Sequence, residues 1–357
     1  MSETTAYNIY LASRIRTKRS TLLPQSFFEE LLSLHQLDAV IKRLLDSYYG
    51  QEMAKALTRF QGADAVEEAV ARSMDGLFKH LSDLVENDPS LKELTLIFFQ
   101  RWDLASIKSL LRGKYHHLDA GQIRKTLTPG PTLNTALLNQ FLQVPTLDGL
   151  LTALAIWNPA LCTPLTEVWK GHLQQTGEEQ ALVQLEEALD RAYFVNYSCT
   201  LKAADLNKNL LRDLLKMEID RINIRLLLTH AGKESISFMA QRFLPEGHLS
   251  QKLLNQMASA PGMAQAMAYL EKTRYEEIHR SLYPYIQSGR ITTLDRLFER
   301  AFLQALMTMT RQHMVSLAVL MHYVWARYAE VVNLRLIARG LENRLPVGRI
   351  REELVYN

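Results

Sequence analysis

The chain has 357 residues, of which 47% are hydrophobic and 22% charged, and its formal net charge is +3. This balance is typical of a folded globular protein and excludes a largely disordered chain. The length predicts two or three domains, and the small positive charge does not by itself indicate a nucleic-acid partner.

The sequence predicts a protein that does not cross a membrane. Its two cysteines, Cys162 and Cys199, are too few for a disulfide framework or a metal cluster and favour a reducing compartment. The first residues, MSETTAYNIY, lack the apolar segment of a signal peptide. The longest apolar stretch, residues 314–325, is too short to span a bilayer.

Leucine-rich segments with helical spacing follow one another along the chain. Residues 27–45 (FFEELLSLHQLDAVIKRLL), 98–114 (FFQRWDLASIKSLLRGK) and 178–195 (EEQALVQLEEALDRAYFV) each read as helical segments. Pro24, Pro129 and Pro245 each precede such a segment. Alternating β-branched runs between turn signals are missing, so the sequence predicts an all-α protein.

One helical pattern occurs three times. The segments DLASIKSLLRGK, EIDRINIRLLLTHAGK and YAEVVNLRLIARG align when Ile107, Ile222 and Val332 are superposed, and their shared apolar positions then lie on one helical face. An acid precedes each landmark, a polar residue follows it, and a glycine closes the run. The following polar residues are Lys108, Asn223 and Asn333, and the glycines, expected to be left-handed caps, are Gly113, Gly232 and Gly340.

The landmarks are spaced almost equally, at more than 100 residues. Such a period is too long for a helix-pair repeat. We therefore predict three similar helical domains, at residues 1–118, 119–234 and 235–357.

Several cationic and polar residues are candidates for a partner interface. The segment RIRTKR allows three interpretations: an RNA or phosphate contact, an interface with an acidic partner, or a solvated helix face. Lys108, Asn223 and Asn333 either face a common cavity or are buried and bonded to loop backbone. Arginines on the repeated helices either line that cavity or form surface ion pairs. The full set is Arg14, Arg16, Lys18, Arg19, Lys108, Arg112, Asn223, Arg225, Asn333, Arg335 and Arg339.

Motifs of enzyme active sites are missing from the sequence. It contains no GxxxxGK[ST] phosphate loop, no GxGxxG, no HExxH and no GxSxG. Its ten histidines do not cluster along the chain. We therefore predict no catalytic residue, no cofactor and no metal site.

Three stretches resemble a known family: LASRIRTKRSTLL, RWDLASIKSLLRGK and EVVNLRLIARGLENRLPVGRIREELVY. They are similar to the C subunit of the bacterial and archaeal V/A-type rotary ATPases, the homologue of the d subunit of the eukaryotic V-ATPase. The first copy departs from the family's run, with Ser106 and Lys108 where asparagine is expected.

The resemblance implies a funnel of three all-α domains around a pseudo-threefold axis. It implies a non-catalytic socket of the central stalk, which receives the rotor shaft of the soluble ATPase head and rests on the proteolipid ring. Such a protein transmits torque for ATP-coupled ion transport. It lies in the cytoplasm, peripheral to the membrane, without inserting into it or binding nucleic acid. The alternative is a helical scaffold or RNA-binding adaptor unrelated to an ATPase.

Overall fold

The computed structural model describes residues 3–173, 181–202, 205–230, 236–286 and 292–356, and the regular structure within them is helical. The all-α prediction is therefore confirmed. A short 3-10 helix, Tyr269–Lys272, follows α15. The α-helices in chain order are α1 (Glu3–Arg19), α2 (Gln25–Ser33), α3 (Leu37–Leu45), α4 (Gly50–Leu57), α5 (Gly62–Val85), α6 (Pro89–Tyr115), α7 (Ala120–Arg124), α8 (Thr135–Gln143), α9 (Leu147–Trp157), α10 (Pro159–Leu173), α11 (Ala181–Thr200), α12 (Leu206–His230), α13 (Ile236–Arg242), α14 (Gln251–Ala258), α15 (Met263–Ala268), α16 (Glu276–Ile286), α17 (Thr292–Gln312), α18 (Leu317–Glu342) and α19 (Val347–Glu353).

The apolar stripe of residues 27–45 is divided between two helices, α2 and α3. The break lies at His35, whose φ of 55° is left-handed and ends the helical backbone. Leu34 and Leu37 continue the apolar pattern across this turn and both pack on the core. The apolar pattern in the sequence is therefore continuous although the helix is interrupted at this point.

Three long helices form the centre of the fold. α6, α12 and α18 contain 27, 25 and 26 residues, which makes each about 40 Å long. They contact one another, and each also packs on a further helix: α6 on α11, α12 on α17 and α18 on α5. Phe98 and Trp102 of α6 meet Trp325 of α18 at ring-centroid distances of 6.0 and 6.1 Å. These buried rings anchor two of the long helices to each other.

Each long helix carries a buried Ser or Asn that binds the backbone of a residue 21 or 22 positions further on. Asn223 donates to the Leu244 carbonyl over 2.9 Å and accepts from the Leu244 N–H over 2.8 Å. Asn333 bonds Val355 in the same way, at 2.7 and 3.0 Å. In α6 the equivalent contact, to Thr128, is made by Ser106. The sequence alignment placed Lys108 opposite the two asparagines; the hydrogen bonds place Ser106 there instead.

A buried acid precedes each of these residues by three positions: Asp103, Asp220 and Glu330. Asp103 accepts from the N–H of Leu133 over 2.9 Å, just ahead of α8. Asp220 accepts from the N–H of Leu249 over 3.1 Å, just ahead of α14. Each acid thus fixes the entry of the chain into a later helix, because a buried backbone N–H needs an acceptor.

The third acid, Glu330, binds the beginning of the chain. It accepts from the N–H of Leu23 over 2.5 Å and from the Tyr49 hydroxyl over 2.9 Å. Arg327, fully buried, contacts Glu330 over 2.7 Å and lies 3.9 Å from the centroid of the Tyr48 ring. α18 therefore holds both Leu23, near one end of the chain, and Val355, near the other.

Two glycines of the repeated helices, Gly113 and Gly340, are not caps. Gly113 and Gly340 lie inside α6 and α18, and the left-handed residues after these helices are His117 and Arg344, with φ of 53° and 54°. The predicted glycine caps are therefore wrong for these two copies, and Gly232 lies outside the described residues. Gly340 instead allows close packing, because a Cβ there would lie 2.5 Å from Ile350 Cδ1.

We expect Gly340→Ala to lower the free energy of unfolding by about 1–3 kcal/mol, because the added methyl group displaces Ile350. The matched control is Gly76→Ala in α5, where nothing lies within 4 Å of a new Cβ. That change should raise the free energy of unfolding by about 0.5–1 kcal/mol, since alanine favours helix. Urea denaturation measures both, and equal effects would contradict the packing argument.

Asp103 gives the stability of the fold a pH dependence. Burial raises the pKa of its carboxyl to about 7, although the hydrogen bonds from Thr132 and Leu133 oppose the shift. An ordinary aspartate, as in the unfolded chain, loses its proton near pH 4, whereas Asp103 in the folded protein loses it near pH 7. Between these two values the folded protein therefore binds one proton more than the unfolded chain. The stability from this group is present below about pH 4 and is lost as the pH rises to about 7.

Asp103→Asn removes this titration. We expect the variant's free energy of unfolding, relative to wild type, to increase by up to about 4 kcal/mol between pH 4 and 7.5. Urea denaturation at both values measures the difference, with Asp38→Asn, the same replacement at an exposed position of α3, as the control. A pH-independent difference for Asp103→Asn would show that this carboxyl does not titrate in that range.

Candidate functional site

A polar cavity of about 360 Å³ lies among the long helices, and is here called the central cavity. Its walls come from α6, α11, α12 and α18, together with Thr126 and Thr128 of the segment after α7. Four of the residues predicted for a partner interface line it: Lys108, Arg112, Arg225 and Arg335. Two further cations, Arg101 and Arg221, also line the cavity, whereas its wall has only two carboxylates among the described residues, those of Asp190 and Glu218.

The cations of α6 are held by acids of α11. Lys108 Nζ lies 2.6 Å from the Asp190 carboxylate. The Arg112 guanidinium donates two hydrogen bonds, of 2.6 and 2.7 Å, to the Glu186 carboxylate. A two-point arginine–carboxylate contact fixes orientation as well as distance. Lys108 and Arg112 therefore line the cavity and at the same time join α6 to α11.

Acids of α12 and α17 surround the cations of α12. Arg221 lies 3.1 Å from both Glu218 and Asp295, and Arg225 lies 3.1 Å from Asp295. Burial disfavours the charged guanidinium of Arg221, yet Glu218 and Asp295 outweigh that effect and raise its pKa. This wall of the cavity is a network of alternating charges.

Arg101 is a cavity residue that the sequence interpretation missed. Its guanidinium carbon lies 3.7 Å from the centroid of the Trp325 ring, and its Nη2 lies 2.8 Å from Glu218. A signal for it exists, since Arg101, Lys108 and Arg112 recur at steps of seven and four residues, which places them on one helical face. The acidic partners carry no comparable signal, because they lie far away in sequence.

Arg335 lines the cavity from α18. It donates to the Thr128 hydroxyl over 3.0 Å and to the Leu127 carbonyl over 3.2 Å. Burial lowers the pKa of its guanidinium. Asn223 and Asn333, by contrast, are buried within the chain's own hydrogen bonds and lie outside the cavity wall.

Arg339 lies on the side of α18 that faces α5. It contacts Asp64, Glu67 and Glu342, the last two at 2.7 Å. The hydrogen bond to Glu67, opposed by burial and aided by the other two acids, raises the pKa of Arg339. This residue joins two helices and is separate from the central cavity.

The N-terminal cations lie on α1, outside the cavity wall. Arg16 donates to the Met314 carbonyl over 2.9 Å, and the Arg14 guanidinium lies 6.0 Å from the centroid of the Tyr10 ring. Burial, followed by the charge of Arg16, lowers the pKa of Arg19. Lys18 is half-buried beside them. α1 itself packs on α18.

Metal binding and membrane crossing find no support in the described part of the chain. Within it, no group of three or more His, Cys, Asp or Glu side chains is arranged to hold a metal ion. Among the same residues, no helix combines the length and the apolar character needed to cross a bilayer.

Comparisons with known proteins agree on one family. Residues 11–353 match the family described as ATP synthase (C/AC39) subunit. Curated relatives named as C subunits of A-type ATP synthases include proteins of Methanococcoides burtonii, 26% identical across 97% of this chain and 93% of its own length, and Halobacterium salinarum, 25% identical across 97% of both. A third, from Haloferax volcanii, is 24% identical with the same coverage of both chains, 97%.

The match extends over nearly the whole chain and includes the first two stretches that suggested the family, together with all but the last three residues of the third. The resemblance inferred from those stretches is confirmed. The chain belongs to the ATP synthase (C/AC39) subunit family.

Proposed function

We propose that this protein is the non-catalytic central-stalk subunit that links the rotor shaft of a V/A-type ATPase or ATP synthase to its membrane proteolipid ring. The observation that carries the proposal is the central cavity, a polar recess built where three long helices meet. Side chains at the shaft tip would enter this recess, and the opposite face of the protein would rest on the ring. Long helices locked together by buried aromatic and ion-pair contacts suit the transmission of torque.

The proposed arrangement is three similar helical units, at residues 1–118, 119–234 and 235–357, around a pseudo-threefold axis. Three repeated pairs of contacts support it, one on each long helix: a buried acid that receives a backbone N–H, and a Ser or Asn that binds a loop residue. The acid of the first unit binds the second unit, the acid of the second binds the third, and Glu330 of the third binds Leu23 of the first. A closed ring of units around a central recess has this connectivity.

The proposed location is the cytoplasmic side of the membrane, as a peripheral protein without direct insertion. The proposed partners are the shaft subunits of the soluble head and the proteolipid ring, with no nucleic acid. Ion pairs already line the cavity, so the contact with the shaft would be polar and of moderate strength, a character that suits reversible assembly. The comparisons give no support to a scaffold or RNA-binding role.

The direct test is binding. We expect the purified protein to bind the purified shaft subunits and the proteolipid ring at low salt. Its affinity for the shaft should fall as the salt concentration rises from about 50 to about 500 mM, because salt screens the attraction between charges. The protein alone should hydrolyse no ATP. Absence of binding to both partners at low salt would overturn the proposed function.

A second test concerns the cations of α1. We expect the combined change Arg14→Glu, Arg16→Glu and Arg19→Glu to weaken one docking face about tenfold or more, because it converts an attraction into a repulsion. Circular dichroism and thermal unfolding would verify the fold. The matched control, with the same change in charge, is Lys252→Glu, Lys272→Glu and Arg280→Glu, all exposed on α14–α16 or the short helix between them. Equal affinities for shaft and ring in both triple variants would remove α1 from the interface.

A further inference from the structure

Arg335 differs from every other cation that lines the central cavity. Arg101, Lys108, Arg112, Arg221 and Arg225 each contact at least one carboxylate, at distances of 3.1 Å or less. Arg335 has no ion-pair partner within the described parts of the chain, and its two hydrogen bonds go to the neutral oxygens of Leu127 and Thr128. It is therefore the unbalanced charge of the cavity wall.

One unused donor of Arg335, the Nε–H, is sheltered from water. A guanidinium has five N–H groups. Two of the Arg335 donors are used, and its Nε is buried without an acceptor among the described residues. A buried donor without a partner costs about 1–3 kcal/mol, and more when the group is charged. An anion beside the guanidinium would offset part of this cost through its charge.

The side chain is also held in position before any ligand arrives. Thr128, which receives one Arg335 bond, has its own backbone N–H fixed by Ser106 of α6. Leu127, which receives the other, is buried. A binding group whose orientation is set by its supports loses little conformational freedom on binding. Arg335 therefore has the properties of a prepared receptor for an anion.

The charge around Arg335 selects the kind of anion. Asp190 and Glu218 line the same cavity, and Glu67 acts electrostatically on Arg335 from the α5 side. The other cavity cations already contact carboxylates, so one guanidinium charge is left over, and a single carboxylate balances it whereas a multiply charged phosphate group exceeds it. Arginine and carboxylate also fit each other through two parallel hydrogen bonds.

We propose that Arg335 is the receptor for an Asp or Glu side chain, or a terminal carboxylate, at the tip of the rotor shaft. The inference rests on the proposed function, since it names the contact by which the shaft is recognised inside the central cavity. The remaining cavity cations keep their intramolecular partners and form the polar wall around this contact.

The first experiment replaces Arg335 with a neutral residue of similar length. We expect Arg335→Met to weaken binding of the purified shaft subunits about tenfold or more, since it removes one member of a buried charge pair. The free protein should keep or raise its melting temperature, because a buried charge without a counter-charge is removed. A merely structural role would give the opposite result, with a lower melting temperature and unchanged binding.

The matched control is Arg225→Met, which also removes a cation from the cavity wall. Arg225 already has Asp295 as a partner, so its loss should weaken shaft binding clearly less than the loss of Arg335 does. Equal losses in the two variants would mean that the cavity acts through its overall charge and that Arg335 is not a specific receptor.

A second experiment identifies the carboxylate directly. Arg335→Lys places an amine in the site, and a carbodiimide joins an amine to a carboxylate in contact with it. In the assembled complex, mass spectrometry should find a cross-link from position 335 to one acidic residue of the shaft. If wild type binds the shaft but no such cross-link forms and Arg335→Met binds normally, this inference fails while the proposed function stands; if wild type does not bind the shaft, the proposed function fails first.

Discussion

The fold depends on the pairing of a buried acid with a Ser or Asn one helical turn later, on each of three long helices. Each pair binds two separate segments of backbone, one through the acid and one through its neighbour. A buried backbone N–H or C=O without a partner is costly, so these side chains decide where irregular segments can cross the core. The aromatic packing among the long helices then fills the space that these anchors define.

The same geometry explains what the sequence can and cannot reveal. The spacing of leucines predicts helices because burial on one face of a helix imposes a period of 3.6 residues. It does not reveal that residues 27–45 turn at His35, since the apolar pattern continues through a left-handed residue. The family was recognisable because its charged and glycine positions are specific, whereas helical periodicity alone is shared by many proteins.

The candidate site was predicted only in part, and the reasons are physical. Ser106 and Lys108 are two positions apart, so they point about 200° apart around α6, one to a loop and the other to the cavity. Leucine-rich segments can be aligned in more than one register. The sequence of α6 alone does not tell whether Ser106 or Lys108 is the residue that corresponds to Asn223 and Asn333. The partners of Lys108 and Arg112 lie 82 and 74 residues further on, a separation at which sequence spacing carries no geometric information. The assignment of Arg14, Arg16, Lys18 and Arg19 to an interface stays a prediction.

The contact between Glu330 and Leu23 has a consequence for the order in which the protein forms during synthesis. The two residues are separated by 307 positions, so α18 leaves the ribosome long after its binding site near the start of the chain. Until then α5, which also packs on α4 and α6, lacks one of its large packing partners. Contacts this distant in sequence form slowly, and apolar faces that wait for them are prone to association with other chains. The contact between the two segments therefore cannot form in the nascent chain until α18 has been made.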